Sequence, residues 1–413
     1  MATTLIAQAT IFDATCAKPF TGSVLIDGNR IASVITGRDR PQADHVIEAD
    51  GKFLMPGMTE GHGHLSFENV TATENLITPC PEEQVFTAAR GAKALLDAGF
   101  TSVYGASEAK LRLAVAVRNE VNAGRIPGPR IRAGGLEISV TGAMGDESKE
   151  HNPRVGPSTL VDGPEEMRKA VRTHCREGVD NIKLDVSGDP FYPSTPGHTT
   201  PMSFEEIKMA VDTAHAYGRK INAHTRSIQG SKDCIRAGVD GLFHCEYSDE
   251  ALLDMMEEAK DRIFVVPTID LFDCMATGKA ANWGITAEVA GWMGIPGLIE
   301  ESIKTHTALR QRGVRHLIGG DFGFAWSAQG AQARDLQHFI KYYGYSSADA
   351  LICATRNGGQ AMMADGSLGT IEAGKLADMV LVDGDVLADI SLLTDTSKLV
   401  LIMKDGSLYK SPA

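Results

Sequence analysis

Two histidines separated by one glycine, His62 and His64, are the first residues in the sequence whose types and spacing suggest chemistry. An apolar run at 53–55 and a Pro-Gly pair precede them, which is typical of a buried strand that ends nearby. Side chains two residues apart in a strand point to the same side, so both imidazoles would project together. Neutral imidazole is a common metal ligand, and the pair therefore predicts part of a metal site. Two polar residues at an ordinary strand end would show the same pattern.

Four more titratable residues lie in, or directly after, short apolar runs far along the chain. They are Lys183, His224, His244 and Asp321. Zinc prefers nitrogen and oxygen ligands, and a catalytic zinc site keeps one position open for water. Residues so widely separated form one site only if the fold brings the ends of their strands together.

The middle of the chain alternates predicted strands with amphipathic helices. The strands are predicted at 53–65, 101–104, 130–133, 181–186, 220–224, 241–246, 263–269 and 316–321. Helix signals lie between them, such as the capping box that begins at Ser203. Eight such units predict an α/β fold, a parallel (β/α)8 TIM barrel, in which the C-terminal ends of the strands meet at one mouth. A doubly wound sheet is the alternative, but no Gly-x-Gly-x-x-Gly follows the first strand.

Both ends of the chain are rich in strand signals. Asp-Gly turns at 27–28 and 405–406 join short runs of β-branched residues, a pattern typical of hairpins. The sequence therefore predicts a small composite β-sandwich domain formed by residues 1–56 and 364–413, with a catalytic barrel over residues 57–363.

With these six residues at strand ends, the sequence resembles the metal-dependent amidohydrolase superfamily. The resemblance is to binuclear members with a carboxylated lysine, similar to hydrolases of Xaa-Arg or Xaa-Pro dipeptides and of aryl amides. It covers nearly the whole chain and includes the runs at 54–57, 354–357 and 369–378. The last run resembles the return of the chain from the barrel to the small sheet domain.

The resemblance implies two divalent metal ions, expected to be zinc, bridged by Lys183 as N6-carboxylysine. His62, His64 and Asp321 would bind one ion, whereas His224 and His244 would bind the other. A lysine ammonium has no lone pair and cannot be a ligand, and the resemblance implies a carbamate on its nitrogen instead. An ion pair between Lys183 and Asp185, or another acid, is the alternative.

This constellation predicts hydrolysis of a C–N bond. Divalent metal lowers the pKa of water from near 16 towards about 7 and polarises a carbonyl group. Asp321 would accept the proton of the attacking water and pass it to the leaving amine, or would serve as a ligand alone. The expected substrate is an amide, a dipeptide or an N-acyl amino acid, and the alternative substrate is an aryl carbamate or urea. A non-catalytic amidohydrolase-like scaffold is the alternative of another class, although such relatives lose ligands and none of the six is missing.

Residues that would contact the substrate are harder to assign from the sequence. The candidates are His151, Tyr247, Phe322 and Trp326. Some members of the superfamily carry a histidine after the third strand where this chain has Met144, and His151 either replaces it or is an exposed loop residue. The aromatic loop at 322–326 would line a pocket or pack as a lid. Arg154 and Arg226 could bind a carboxylate, although each is expected to be structural.

Composition restricts the partners. The formal charge of −13 argues against nucleic acid or an anionic membrane. The first residues show no secretion signal, no apolar run approaches the length of a bilayer, and seven dispersed cysteines are typical of reduced thiols. We expect a cytoplasmic homo-oligomer that acts on a small-molecule substrate.

Overall fold

Strands and helices alternate in the middle of the computed structural model, which describes residues 2–363 and 365–411. In chain order, the strands are β1 (Thr3–Ile11), β2 (Phe20–Asp27), β3 (Arg30–Thr36), β4 (His45–Glu48), β5 (Phe53–Pro56), β6 (Met58–Gly63), β7 (Phe100–Gly105), β8 (Arg130–Arg132), β9 (Glu137–Ser139), β10 (Ser158–Leu160), β11 (Asn181–Asp185), β12 (Lys220–Thr225), β13 (Gly241–His244), β14 (Phe264–Val266), β15 (Met379–Val382), β16 (Leu399–Lys404) and β17 (Ser407–Lys410).

The helices lie mainly between the strands of the middle region. They are α1 (Glu74–Ile77), α2 (Pro81–Asp97), α3 (Leu113–Asn122), α4 (Pro164–Glu177), α5 (Phe204–Ala216), α6 (Ile228–Ala237), α7 (Glu250–Glu258), α8 (Ile269–Ala276), α9 (Ala287–Trp292), α10 (Ile295–Gln311), α11 (Arg334–Tyr343), α12 (Ser347–Ile352) and α13 (Gly358–Met362), with 3-10 turns at Ala281–Trp283 and Ile390–Thr394 and a π-helical turn at Cys353–Asn357. The predicted capping box begins α5, because Ser203 and Glu206 each bind the other's backbone N–H. Within the described ranges, no helix is both long and apolar enough to cross a bilayer.

Parallel pairing builds the barrel. β6, β7 and β8 are neighbours in one ladder, and β9, β11, β12, β13 and β14 are neighbours in a second. β8 and β9 together form the third strand, because Asn181 at the start of β11 donates to Ala133 O after β8 while Lys183 of β11 pairs with Glu137 of β9. The predicted third strand is therefore too short, since it ends before Glu137.

The eighth position of the barrel is a short extended segment without a regular ladder. Leu317 N donates to Val265 O of β14 at 2.9 Å, and Gly61 N of β6 donates to Ile318 O at 2.9 Å. The segment thus bridges the last strand and the first. This closure completes the predicted TIM barrel.

The two ends of the chain form one sheet, in the order β17-β16-β15-β5-β1-β2-β3, with β4 beside β1. Side chains alternate between two cores along its central strands, as the period of two requires. Leu54 and Leu381 pack inside the sheet domain, whereas Phe53, Met55 and Val382 pack with the core of the barrel. The predicted sheet domain built from both termini is confirmed, and its inner strand β5 runs directly into the first barrel strand.

Candidate metal centre

One cavity of about 420 Å3 opens at the C-terminal ends of the barrel strands. The six residues predicted as metal ligands all line it: His62, His64, Lys183, His224, His244 and Asp321. Strand register explains their common level, because the end of β12 at His224 pairs with Asp185 on one side and with Phe243 on the other. Parallel neighbours in register therefore end together at the mouth.

The separations of the ligand atoms fit a shared cation. Asp321 Oδ1 lies 3.6 Å from His62 Nε2 and 3.2 Å from His64 Nε2. Atoms that share one tetrahedral zinc ion, at about 2.0–2.1 Å each, lie roughly 3.3 Å apart. One ligand atom from each of His62, His244 and Asp321 also falls within 4.8 Å of the other two. The ring of His224 lies 4.3 Å from that of His244, and the ring of His244 lies 5.5 Å from that of His62, between centroids, so the second histidine pair is adjacent to the first.

Hydrogen bonds orient three of the imidazoles from behind. His64 Nδ1 lies 2.8 Å from Ser107 O, and His244 Nδ1 lies 2.5 Å from Thr268 Oγ1, which leaves Nε2 of each ring for another partner. His224 is turned the other way, because its Nε2 lies 3.0 Å from Gly188 O and its Nδ1 is left. Such outer contacts are characteristic of histidines that bind metal, since they fix the tautomer and the ring orientation.

The protonation states also suit a cation. Burial holds the pKa of His62, of His224 and of His244 well below the ordinary histidine value, so these rings are neutral near pH 7. Burial raises the pKa of Asp321, but His62 and His64 outweigh that effect and hold it below the usual range. In addition, His62 Nδ1 is buried and has no hydrogen-bond partner within the described part of the chain. Neutral nitrogens around an ionised carboxylate are the donor set that a divalent ion prefers.

Lys183 lies at the centre of this arrangement and is almost fully buried. Its Nζ lies 3.6 Å from Glu137 Oε1 and 5.0 Å from the centroid of the Phe243 ring. Ser107 Oγ donates to the same Glu137 oxygen at 2.9 Å, so Glu137 connects the lysine to the support of His64. The acid beside Lys183 is thus Glu137, which the sequence reasoning missed. A predicted third strand that continued beyond residue 133 would have included Glu137.

Three strand ends at the mouth adopt a backbone conformation that non-glycine residues rarely use. The φ angles are 74° at His244, 56° at Thr268 and 62° at Asp321. Such conformations cost about 1–3 kcal/mol each and persist where the surrounding fold enforces them, commonly at functional sites. Here the backbone turns at the residues whose side chains form or support the site.

The lining of the cavity is chemically mixed. It includes aromatic and aliphatic side chains, among them Phe67, Leu271, Phe324 and Trp326, and polar residues such as Asp189 and Tyr192. Arg226 also lines the cavity, and it is fully buried between two carboxylates: Asp189, which accepts from its Nε at 3.0 Å, and Glu246. The charge of Arg226 is therefore already balanced by the protein.

The candidate substrate contacts lie in different environments. Trp326 lines the cavity, as does Met144. Among the described residues that line it, His151, Tyr247 and Phe322 are absent: His151 is exposed, Tyr247 is half-buried, and Phe322 is buried beneath Arg334. Their roles in substrate binding stay predictions. Arg154 is not near the metal ligands but pairs with Glu74 at the surface, with 2.6 Å between nitrogen and oxygen.

Known proteins share this arrangement of barrel and sheet. Residues 53–409 match the amidohydrolase family. An ochratoxinase from Aspergillus niger is 27% identical over 384 residues, which cover 87% of this chain and 76% of that protein. A Xaa-Pro dipeptidase crystallised with methionine in its active site is 27% identical, with a TM-score of 0.88 over 99% of this chain and 100% of the other. A prolidase in complex with N-methylphosphonate-L-proline matches with the same identity, coverage and TM-score. The match to the family over most of the chain, joined to a mouth lined by histidines and a carboxylate, shows that the chain belongs to the amidohydrolase family and is a hydrolytic enzyme acting on C–N bonds.

Proposed function

We propose that this enzyme hydrolyses an amide bond, in a dipeptide or an N-acyl amino acid, with two divalent metal ions of which zinc is the expected kind. The observation that carries the proposal is the convergence of four histidines and Asp321 on the buried Lys183 in one cavity. His62, His64 and Asp321 would hold one ion, and His224 and His244 would hold the other.

Lys183, as N6-carboxylysine, would help to hold the ions. A buried ammonium beside several neutral imidazoles has no lone pair to share, whereas the oxygens of a carbamate would be metal ligands. Glu137 supports the alternative of a simple ion pair, but its oxygen lies 3.6 Å from Nζ and already accepts a hydrogen bond from Ser107. That contact is looser than a charge-assisted hydrogen bond, which is expected at about 2.7–2.9 Å.

Residues of the chain would carry out the proton transfers of the reaction. When bound, divalent metal would supply an activated water and polarise the carbonyl oxygen of the substrate. Asp321 has a side chain that is 14% exposed and faces the cavity, so it is placed to hold the proton of that water and to return it to the leaving amine.

Hydrolysis of an aryl carbamate or urea is the second candidate. The same residues would act, because each of these substrates also presents a carbonyl carbon bonded to nitrogen. The aromatic side chains that line the cavity favour a substrate with an aryl group but do not distinguish the three classes of bond. A matched screen of an aryl amide, carbamate and urea with the same ring would separate them, and equal or greater activity on the carbamate or urea would contradict the amide assignment.

The metal centre is tested by replacing its central residue. Lys183→Ala should lose the metal pair, close to two ions per chain in the wild type, and lower kcat/KM by at least about a thousandfold. Metal content by mass spectrometry and initial rates are the measurements. Lys220→Ala is the matched control, because Lys220 begins the neighbouring strand β12 and its Nζ pairs with Asp240 instead. A Lys183→Ala protein that keeps both ions and its activity would contradict the carbamate, and a folded wild type that binds no metal would support the scaffold.

A further inference from the structure

A continuous row of aromatic rings leads from the metal ligands to the surface. Phe67 stacks on His64, with centroids 4.3 Å and planes 13° apart, and meets Phe324 edge to face at 6.3 Å. Phe324 stacks on Trp326 at 5.6 Å, and Trp283 lies beyond at 6.3 Å. We call Phe67, Phe324, Trp326 and Trp283 the aromatic row. Its first three members line the cavity, and the last is 43% exposed.

The backbone holds the inner part of this row in place. Val70 N donates to Gly323 O at 3.0 Å, which joins the loop after β6 to the loop after the eighth barrel position. The side-chain amide of Gln329 donates to His64 O at 2.8 Å and is shared with Phe67 O at 3.2 Å. Because two adjacent loops are tied together in this way, the rings form a preformed surface, which reduces the entropy that a ligand must lose on binding.

Several other lining residues of the cavity already have polar partners. Tyr192 donates its hydroxyl to Glu147 at 3.0 Å, and the buried Arg226 is held by Asp189. The aromatic row therefore offers a ligand ring contact that these residues do not depend on. Rings prefer stacked or edge-to-face contact with other rings at centroid distances that such a row provides.

We propose that the aromatic row is the binding subsite for a planar, uncharged aryl group of two fused or linked rings, attached on one side of the scissile bond. The inner ring would contact Phe67 and Phe324, and the outer ring would contact Trp326, with Trp283 supporting it from behind. A single phenyl group in contact with Phe67 and Phe324 would make no contact with the indole of Trp326. The identity of the cleaved bond rests on the proposed function, whereas the binding of the aryl rings to the aromatic row does not.

Matched substrates test the subsite on the metal-loaded enzyme. One series joins acetyl, benzoyl or 2-naphthoyl to the same amino acid, and the other joins one amino acid to methylamine, aniline or 2-naphthylamine. In one of these series kcat/KM should rise with the number of rings. Trp326→Leu should lower the preference for naphthyl over methyl by about tenfold. Trp283→Leu should lower the preference for naphthyl over phenyl by about threefold and leave that for phenyl over methyl unchanged.

Two other variants separate ring contact from folding. Trp326→Phe keeps a ring and should keep most of the preference, and its melting temperature shows whether the loop remains folded. Trp292→Leu is the matched control, because Trp292 is 78% exposed on the nearby helix α9 and lies outside the row. A ring preference that is unchanged in Trp326→Leu, or a wild type that prefers the methyl substrates, would overturn the subsite.

Binding of 2-naphthalenemethanol, an uncharged probe without a scissile bond, distinguishes this proposal from the proposed function. Intrinsic fluorescence titration should show binding to the wild type and to Trp292→Leu, and at least about fivefold weaker binding to Trp326→Leu. If the probe binds in this pattern but no amide is hydrolysed, the subsite stands and the amide assignment is wrong. If amides are hydrolysed without ring preference and the probe does not bind, the subsite is wrong and the amide assignment stands.

Discussion

Two groups of buried histidines lie close together in the barrel and differ in how their ring nitrogens are satisfied. Each of His64, His224 and His244 has one nitrogen hydrogen-bonded to the protein and one left over at the cavity. In the other group, His306 Nδ1 lies 3.0 Å from His316 Nε2, His306 Nε2 lies 2.7 Å from His244 O, and His316 Nδ1 lies 3.0 Å from the Tyr345 hydroxyl. Every ring nitrogen of the second group has a partner within the protein.

The comparison shows that burial alone does not identify a metal ligand. Burial lowers the pKa of histidines in both groups, to about 4 for His306 and well below the ordinary value for His244. The groups are distinguished by the remaining hydrogen-bonding capacity, because a neutral imidazole has one donor and one acceptor. Where both are used no nitrogen remains for a cation, whereas His64, His224 and His244 each keep one nitrogen and also line the same cavity. The two groups are also connected, since His306 Nε2 lies close to the carbonyl oxygen of His244, the residue at which the backbone adopts a positive φ angle.

Removing a histidine from the metal centre should have the largest effect on activity. Under the proposed two-metal centre, His224→Asn is expected to lose one ion and to lower kcat/KM by at least about a thousandfold, with little change in the stability of the metal-free protein. Metal content, initial rates and urea unfolding after chelation are the measurements. Retention of both ions would show that His224 is a structural residue like His306.

The buried carboxylate of Asp270, which holds a third kind of buried histidine, should contribute most to stability. Asp270 Oδ1 lies 2.8 Å from His338 Nε2 and accepts from Arg334 Nε at 2.6 Å. Asp270→Asn is expected to lower the free energy of unfolding at pH 7 by about 3–5 kcal/mol, because Arg334 loses its buried partner. Urea unfolding measures the change, and Asp212→Asn, which removes an exposed ion pair with Lys208, is the control.

The same variant has an expected pH dependence. Burial raises the pKa of Asp270, but hydrogen bonds from Arg334 and His338 outweigh it and hold that pKa below the ordinary aspartate value of 3.8. A lowered pKa in the folded state stabilises the protein fully above that ordinary value, and the stabilisation is lost as the pH falls towards the folded pKa. The difference in unfolding free energy between wild type and Asp270→Asn should therefore shrink below pH 3.8. A difference that stays constant between pH 7 and pH 3 would show that the carboxylate charge contributes nothing.

Removing a histidine with both nitrogens satisfied should affect stability rather than metal binding. His306→Leu is expected to retain both ions but to lower the free energy of unfolding by about 2–3 kcal/mol, because His316 Nε2 and His244 O lose their buried partner. Metal content and urea unfolding check this. If the variant lost its metal while remaining as stable as the wild type, the two groups of histidines would not be functionally distinct.

The smallest effect is expected from the hydroxyl that orients His244. Thr268→Val conserves shape but removes the partner of His244 Nδ1, and affinity for the second ion should fall by about tenfold to a hundredfold. Activity should then recover when metal is added in excess. Thr277→Val is a suitable control, because the Thr277 hydroxyl donates to Asp273 O in helix α8. An unchanged metal affinity would show that the ring of His244 is fixed by packing alone.

Much of the barrel could be predicted from the sequence because its signals are local. Strands such as β13 and β14 are short apolar runs, and capping residues such as Ser203 mark where helices begin. The missed parts depend on contacts that are distant in sequence. Glu137 belongs to the third strand only because β9 pairs with Lys183 of β11, and the eighth position is held by single hydrogen bonds to β6 and β14 rather than by a ladder. The residue types within one strand do not indicate which distant strand will pair with it.

The sequence by itself determined which chemical groups reach the mouth of the barrel. Residues two apart on a strand share a face, and parallel strands end at one edge, so His62, His64 and Asp321 had to converge once a barrel formed. Only the tertiary structure decided which nitrogen of each ring is left for a cation, because that choice depends on distant partners such as Thr268 and Ser107. It also decided that the charge of Arg226 is balanced by Asp189 and Glu246 and that Trp283 extends the aromatic row. These outcomes depend on three-dimensional proximity, which spacing along the chain does not encode.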